Sequence, residues 1–266
     1  LLGGPEHIGK MSLIKDLISQ VRTGKDLVED SSLGRQLQVG QGPGLLCFWD
    51  GGESLKIEEV RRILDFVAHR TEEGEYSFCV IEHMERMTHS AANALLKVLE
   101  EPSERCIFLM TTREEKKLLP TLRSRVQFFR CTLPAEKELS QALKNLVANE
   151  LEREELVRLS AGRIGLAIAM NRDKELLERM QKLYDDACLI FEQDIVDRFA
   201  LAERMGNKEY SDSDRNQFLA YLARLMRHRG LEKYQHQLDR VQEVKHLLSD
   251  TQVNKRLFLE HLFLQI

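Results

Sequence analysis

With 266 residues, 42% of them hydrophobic and 31% charged, the chain is composed like a soluble globular protein large enough for a sizeable core and two or three domains. A net charge of −4 removes the overall electrostatic case for a stand-alone nucleic-acid binder and leaves only local basic patches open. No apolar run reaches the length of a membrane span, and Leu1-Leu2-Gly3-Gly4-Pro5 lacks the charged and apolar regions of a signal peptide, so a cytoplasmic protein with no membrane partner is expected.

The chain opens on Gly4-Pro5-Glu6-His7-Ile8-Gly9-Lys10, which fits the G-x-x-x-x-G-K core of a phosphate-binding loop. Leu13, Ile14, Leu17 and Ile18 follow at helical spacing. The stretch from Gly34 to Gly44 is glycine-rich and polar and reads as loop. Leu45 to Trp49 is a short continuous apolar run, as a buried parallel strand would be. Ile57, Val60, Ile63, Leu64 and Val67 trace a helix over 57–70 that ends before Gly74. Strands at 45–49, 78–81 and 106–110 alternate with helices at 57–70 and 91–101, which predicts a parallel sheet with helices on both faces. In the second of those helices Ala92, Leu95, Leu96 and Leu99 form a core-facing stripe, leaving Asn93, Lys97 and Glu100 outward. From about Pro134 the strand signal disappears. Residues 136–171 read as short helices broken at Gly162 and Gly165, a small lid. Residues 173–266 read as longer amphipathic helices, with Phe218, Leu222 and Leu225 on one and Leu259, Leu262, Phe263 and Ile266 on another. Asp212-Ser213-Asp214 supplies cap-type residues. The expected domains are 1–133, 134–172 and 173–266.

None of the five cysteines, Cys47, Cys79, Cys106, Cys131 and Cys188, forms a C-x-x-C pair. Four lie in apolar strand-like runs, so small buried thiols are expected in place of a metal or redox role.

The string Thr88-His89-Ser90-Ala91-Ala92-Asn93-Ala94-Leu95-Leu96-Lys97-Val98-Leu99-Glu100-Glu101-Pro102 lies between the 78–81 and 106–110 strands. With Leu119-Pro120-Thr121-Leu122-Arg123-Ser124-Arg125 after it, it resembles the clamp-loader branch of the AAA+ ATPases, and within that branch the delta prime family of bacterial DNA polymerase III. The likeness covers nearly the whole chain and is dense between Ile57 and Arg130 and at the two ends. It implies an α/β AAA+ P-loop domain, a small helical lid and an all-α collar domain. It also implies a further N-terminal helix ahead of Leu1. Many subunits of this branch carry a four-cysteine zinc module between the first helix and the second strand. The stretch Thr23 to Gly44 holds no cysteine, so no zinc is expected.

By this resemblance Gly4, Pro5, Gly9, Lys10 and Ser12 of the loop, Glu82 after the 78–81 strand, and Thr111 and Thr112 at the sensor-one position make a degenerate nucleotide site. Backbone N–H groups of such a loop cradle phosphates and the lysine adds a point charge. The hydroxyl residue that holds Mg²⁺ is replaced by Met11, a poor ligand for a hard cation, with Ser12 one place late. His7 stands where active relatives usually have glycine. Where those relatives have Asp-Glu, for the metal and for orienting the attacking water, this chain has Glu82-His83. In Leu159-Ser160-Ala161-Gly162-Arg163-Ile164-Gly165-Leu166-Ala167, Gly165 takes the place of the lid arginine, and Arg163 is displaced by two onto another side of a helix. The chain is therefore not expected to be an enzyme by itself. No cofactor or metal is required, and ATP, ADP or Mg²⁺ is left open as a ligand without turnover.

Thr121-Leu122-Arg123-Ser124-Arg125-Val126 resembles the family's Ser-Arg-Cys motif with Val126 in place of cysteine. The resemblance makes Arg125 an arginine finger supplied in trans to a neighbouring subunit's nucleotide. A basic turn solvated or paired with Glu114, Glu115 or another acid is the alternative. The final run from Val253 to Leu264 resembles the collar-forming end of the family, and its apolar residues extend around most of a helix. Three readings follow. The first is a non-hydrolysing stator that works with gamma/tau and delta subunits and reaches the sliding clamp and primer-template DNA through the complex. The second is an active gamma/tau-type ATPase, against which Met11, His83 and Gly165 count. The third is a nucleic-acid-binding regulatory module on the same fold, against which the acidic net charge counts.

Overall fold

The computed structural model describes residues 1–49, 54–68, 75–103, 105–207, 209–248 and 254–266. The chain divides into two compact units, one of residues 1–134 with 163–165, the other of residues 135–162 with 166–266.

The first unit contains β1 (Leu2–Gly3), α1 (Lys10–Thr23), α2 (Ser32–Val39), β2 (Gln41–Gly42), β3 (Leu45–Phe48) and α3 (Ile57–Ala68). It continues with β4 (Ser77–Ile81), α4 (His89–Glu100), β5 (Cys106–Thr112), α5 (Pro120–Arg123) and β6 (Phe129–Arg130). The sheet order is β2-β3-β4-β5-β1-β6. Its pairs are parallel except for β2 against β3, so the expected parallel sheet has an antiparallel edge. The loops leaving β1, β4 and β5 open at the carboxyl ends of adjacent parallel strands, where α/β sheets bind ligands.

β4 is buried along its whole length. Cys79 and Ile81 join a core with Val60, Ile63 and Leu95, while Phe78 and Val80 join another with Ile14, Ile18 and Leu37. Burial on both faces is why the strand reads as a continuous apolar run. On α1 only Ile14 and Ile18 of the expected stripe are buried; Leu13 and Leu17 are exposed, because a single i, i+4 row suffices to cover the sheet. On α4 the buried row is Ala91, Ala92, Leu95 and Val98, with Leu96 and Leu99 only half-buried. The helix starts at His89 because Thr88 Oγ1 accepts the Ala91 N–H at 3.2 Å. Asn93, Lys97 and Glu100 face outward as expected. The helix expected over 57–70 is seen to Ala68, and 69–74 lie outside the described residues.

The stretch 34–44 is not simply loop. It holds most of α2, capped by Ser31 Oγ, which accepts the Gly34 N–H at 2.9 Å, and the short β2. Gly34 sits inside this helix because a Cβ there would lie 2.2 Å from the Glu29 carbonyl oxygen. The far end of the stretch is fastened by Arg22, whose Nη2 donates to the carbonyls of Pro43 (3.0 Å) and Gly44 (2.5 Å). Burial pushes the Cys47 thiol up to about 12 and Cys106 to about 11, and it raises Cys79 well above the ordinary range, so these three are unreactive at neutral pH. Cys131 follows β6 and is not within a strand.

The second unit is helical: α6 (Glu136–Leu143), α7 (Glu150–Ser160), most of α8 (Ile164–Arg172), α9 (Lys174–Leu189), α10 (Ile195–Gly206), α11 (Asp212–Arg229), α12 (Gln235–Leu247) and α13 (Lys255–Phe263). Gly162, at φ +86°, breaks the chain between α7 and α8, whereas Gly165 lies within α8 and does not. The N-cap of α11 is Ser211, not one of residues 212–214. Its Oγ accepts the Asp214 N–H at 3.2 Å, and Asp214 takes back the Ser211 N–H at 2.7 Å. The buried Tyr221 ties α11 to α7 through a 2.5 Å bond from its hydroxyl to the Leu159 carbonyl. On α13, Leu259, Leu262 and Phe263 are buried, but Leu257 is 59% exposed and Leu264 just beyond is 50% exposed. Within one chain that segment is therefore covered on one side only. No helix among the described residues is long and apolar enough to cross a membrane.

Arg215 is buried and satisfies the end of α10: Nε donates to Met205 O and Nη2 to Asn207 O, both at 2.7 Å, while Nη1 meets Asp212 at 2.8 Å. Arg215→Ala would leave the buried Met205 carbonyl without this donor, remove the bond to Asn207 O, and leave Asp212 with Lys255 as its remaining cation. A loss of about 3 kcal/mol of stability is expected in urea unfolding.

Candidate functional site

The phosphate loop runs from β1 to α1 and is pinned from both sides. Gly4 N–H donates to Thr112 O at 3.1 Å, and a Cβ on Gly4 would come within 2.4 Å of Cys131 O. Gly9 caps α1 at φ +96°, a conformation that glycine adopts without strain. His7, at φ +56°, adopts a left-handed conformation without being glycine, consistent with the glycine expected there in active relatives.

Lys10 is buried and turned onto its own loop. Its Nζ donates to Gly4 O and to Pro5 O, each at 2.6 Å, and burial lowers its pKa. Met11 packs against the core under α1. Ser12 is exposed, about 100° further round the helix, so its hydroxyl does not take over the place of the missing one. Arg163 precedes α8 and is not on another face of that helix, because the helix starts one residue later. Gly165 N–H donates to His7 O at 2.7 Å, and a Cβ at 165 would approach that oxygen to 2.9 Å. The backbones are too close for an arginine at 165 unless the loop moves.

At the ends of β4 and β5 the side chains pair among themselves. His83 Nε2 lies 2.7 Å from Arg113 Nη2, and Nδ1 lies 3.2 Å from Glu85 Oε1. Arginine can only donate, so this geometry fits the imidazole tautomer with its proton on Nδ1, donated to Glu85. Glu82 Oε1 is 3.6 Å from His83 Nε2. Thr111 Oγ1 accepts the His83 N–H at 3.2 Å, and Thr112 Oγ1 donates to Glu85 Oε2 at 2.7 Å. Glu85 also accepts the Arg113 N–H at 3.2 Å, and the Arg113 guanidinium is paired with Glu6 across the loop. Burial alone would raise the Glu85 carboxyl. The bonds from His83, Thr112 and the backbone outweigh it and hold the group down at about 2. Glu85 and Arg113 thus organise the cluster, although neither stood out in the sequence.

These residues do not fit a magnesium nucleotide. The ligating hydroxyl is replaced by a thioether packed in a core, the position of the water-orienting carboxylate is an imidazole occupied by Arg113 and Glu85, and the lysine is committed to carbonyls. Among the described residues no group of three or more His, Cys, Asp or Glu is gathered to hold a metal.

Arg125 lies elsewhere. It follows α5, its side chain is 34% exposed, and Nη1 donates to Thr121 O at 2.9 Å and to Ser124 Oγ at 3.2 Å. Its acidic partner is Glu100, at 2.5 Å, and neither Glu114 nor Glu115. Glu115 is taken by Arg123 and Arg130. The α4 helix, ~18 Å long by its rise per residue, starts just after the His83–Glu85 cluster and ends at Glu100. Arg125 is therefore at the far end of that helix from the chain's own acidic cluster.

A profile of the family described as "DNA polymerase III, delta subunit" matches residues 1–134, half of the chain, which include every site residue above except those at 163–165. The chain belongs to this family. Among its relatives, the DNA polymerase III subunit delta' of Pseudomonas aeruginosa is 31% identical over 172 residues, 61% of this chain and 52% of that protein. The delta' subunit of Haemophilus influenzae is 32% identical over 126 residues, 47% of this chain and 36% of that one. The matched stretch thus spans about half the length of the Pseudomonas relative. A gamma subunit-related protein of DNA polymerase III from Thermotoga maritima superposes with a TM-score of 0.54 at 21% identity, covering 100% of this chain and 92% of its own. That last likeness concerns the fold: an α/β unit followed by helices, the class expected from the sequence. For this member of the DNA polymerase III delta family, the residues named from sequence fall into two places. Gly4, Pro5, Gly9, Lys10, Glu82, Thr111 and Thr112 gather at the loop and strand ends, with Ser12 turned outward, and Arg125 stands apart.

Proposed function

We propose that this chain is a non-hydrolysing clamp-loader subunit, a stator that supplies Arg125 in trans to the nucleotide of an adjoining subunit. The observation that carries this reading is the contrast between the two places. The phosphate loop and strand ends are filled by the chain's own Lys10, His83, Glu85 and Arg113, while Arg125 stands at the surface. A guanidinium stays charged and offers a planar fork of donors, which suits it to neutralise charge on a transferred phosphoryl group. The partners on this reading are gamma/tau and delta subunits, with the sliding clamp and primer-template DNA reached through the complex, in the cytoplasm. The exposed Leu257 and Leu264 at the end of the chain support a collar contact there.

The test is hydrolysis and nucleotide binding by the purified chain. No ATP turnover is expected, with or without primed DNA. Turnover by the chain alone would return it to the gamma/tau-type motor class. DNA affinity without partners would favour the regulatory-module reading. In the assembled complex, Lys10→Ala is expected to leave ATP hydrolysis unchanged, since on this reading the loop that Lys10 braces takes no part in turnover. A motor subunit would lose turnover on the same change.

A further inference from the structure

The guanidinium of Arg125 is not loose in the isolated chain. Three of its five N–H donors are used internally: Nη1 on Thr121 O and Ser124 Oγ, Nη2 on Glu100 Oε1. Glu100 is the last residue of α4, outward-facing, with its side chain 48% exposed. The fork edge formed by Nε and Nη2 includes the nitrogen that meets the carboxylate, so a phosphoryl group taken by that fork would share Nη2 with Glu100. Two anions on one terminal nitrogen repel each other, so docking of the finger requires Glu100 to withdraw.

We propose that Glu100 is a latch that parks Arg125 against α4 until a nucleotide phosphate in the adjoining subunit displaces its carboxylate. This rests on the reading of Arg125 as a trans-acting finger and adds its regulation. An ion pair as exposed as this one is weak, so the latch biases the finger without locking it. A phosphate carries more charge than a carboxylate and offers several acceptor oxygens, so the exchange runs toward the nucleotide once the subunits meet. Glu100 acts through Arg125 and is a positioning residue; it touches no reacting atom.

The experiment is steady-state ATP hydrolysis by the complex assembled with gamma/tau and delta subunits, comparing the unaltered chain with Glu100→Gln, Glu101→Gln, Arg125→Ala and the Glu100→Gln/Arg125→Ala pair. Glu100→Gln keeps the side-chain shape and removes the charge. It is expected to raise kcat by about two- to five-fold, the range that release of an exposed ion pair allows, with KM for ATP unchanged. Glu101→Gln, one exposed residue along, should change neither, and the gain should vanish in the Arg125→Ala background. In the free chain, phenylglyoxal should label Arg125 faster in the Glu100→Gln variant, which a purely structural role for Glu100 would not produce. If Arg125→Ala abolishes finger-dependent hydrolysis while Glu100→Gln leaves kcat unchanged or lowers it, the latch is overturned and the finger stands. A gain that survives without Arg125 also overturns it. If Arg125→Ala has no effect, the finger reading itself falls.

Discussion

Arg125→Ala should slow single-turnover hydrolysis at the adjoining subunit's site by about 10³-fold or more, the contribution an arginine finger makes to phosphoryl transfer. The isolated chain should remain folded, because the side chain is partly exposed and its ion pair with Glu100 is solvated. Arg125→Lys is expected to recover little, since an ammonium keeps the charge and loses the planar fork. The readout is quench-flow release of phosphate in the assembled complex, with circular dichroism of the free chain as the folding control. Wild-type rates for the alanine variant would place Arg125 among ordinary surface arginines and would favour the solvated basic turn.

The second large effect concerns Glu85, whose carboxyl is held at about 2 against an ordinary value of 4.5. Its native pKa is the lower one, so between those two values the unfolded chain binds more protons than the folded one. The stability it confers is fully present above about pH 4.5 and is lost as pH falls through the window toward 2. A shift of that size corresponds to about 3 kcal/mol. Glu85→Gln should therefore unfold at lower urea concentration at pH 7 and show a flatter decline of stability across that acidic window. A variant as stable as the parent at pH 7 would mean that the His83, Thr112 and Arg113 contacts contribute nothing net.

Much of the first unit was legible because its physics is periodic. Strands buried on both faces, such as Ser77–Ile81, appear as unbroken apolar runs, and α3 and α4 appear as stripes. The misreadings have local causes. Four glycines between 34 and 44 suggested loop, yet residue 34 lies in a helix and is glycine because the backbone at Glu29 passes too close for any side chain; Ser31 with Leu33 and Leu37 was the available signal for a capped helix. The two-residue strands β1, β2 and β6 are too short for any period. At the site, the altered positions 11, 83 and 165 were readable as departures from a motif. How they were filled was not, because Arg113 and Glu6 meet only in three dimensions. The sequence left the partner of Arg125 open among Glu114, Glu115 or another acid, and it is another acid that pairs with it. The actual partner, Glu100, is 25 residues away, brought there by the packing of α4 beside α5.

The position of β1 governs the order in which this unit assembles. Leu2–Gly3 hydrogen-bond between Cys106–Thr112 and Phe129–Arg130, so during synthesis this strand finds no sheet partner until about 110 further residues have been made, and no second partner until about 130. Without β1 the sheet ends at β5, since β6 joins it only through β1. A fragment ending before Phe129 leaves Leu2–Gly3 with one edge unpaired, exposed to chaperones and to other chains.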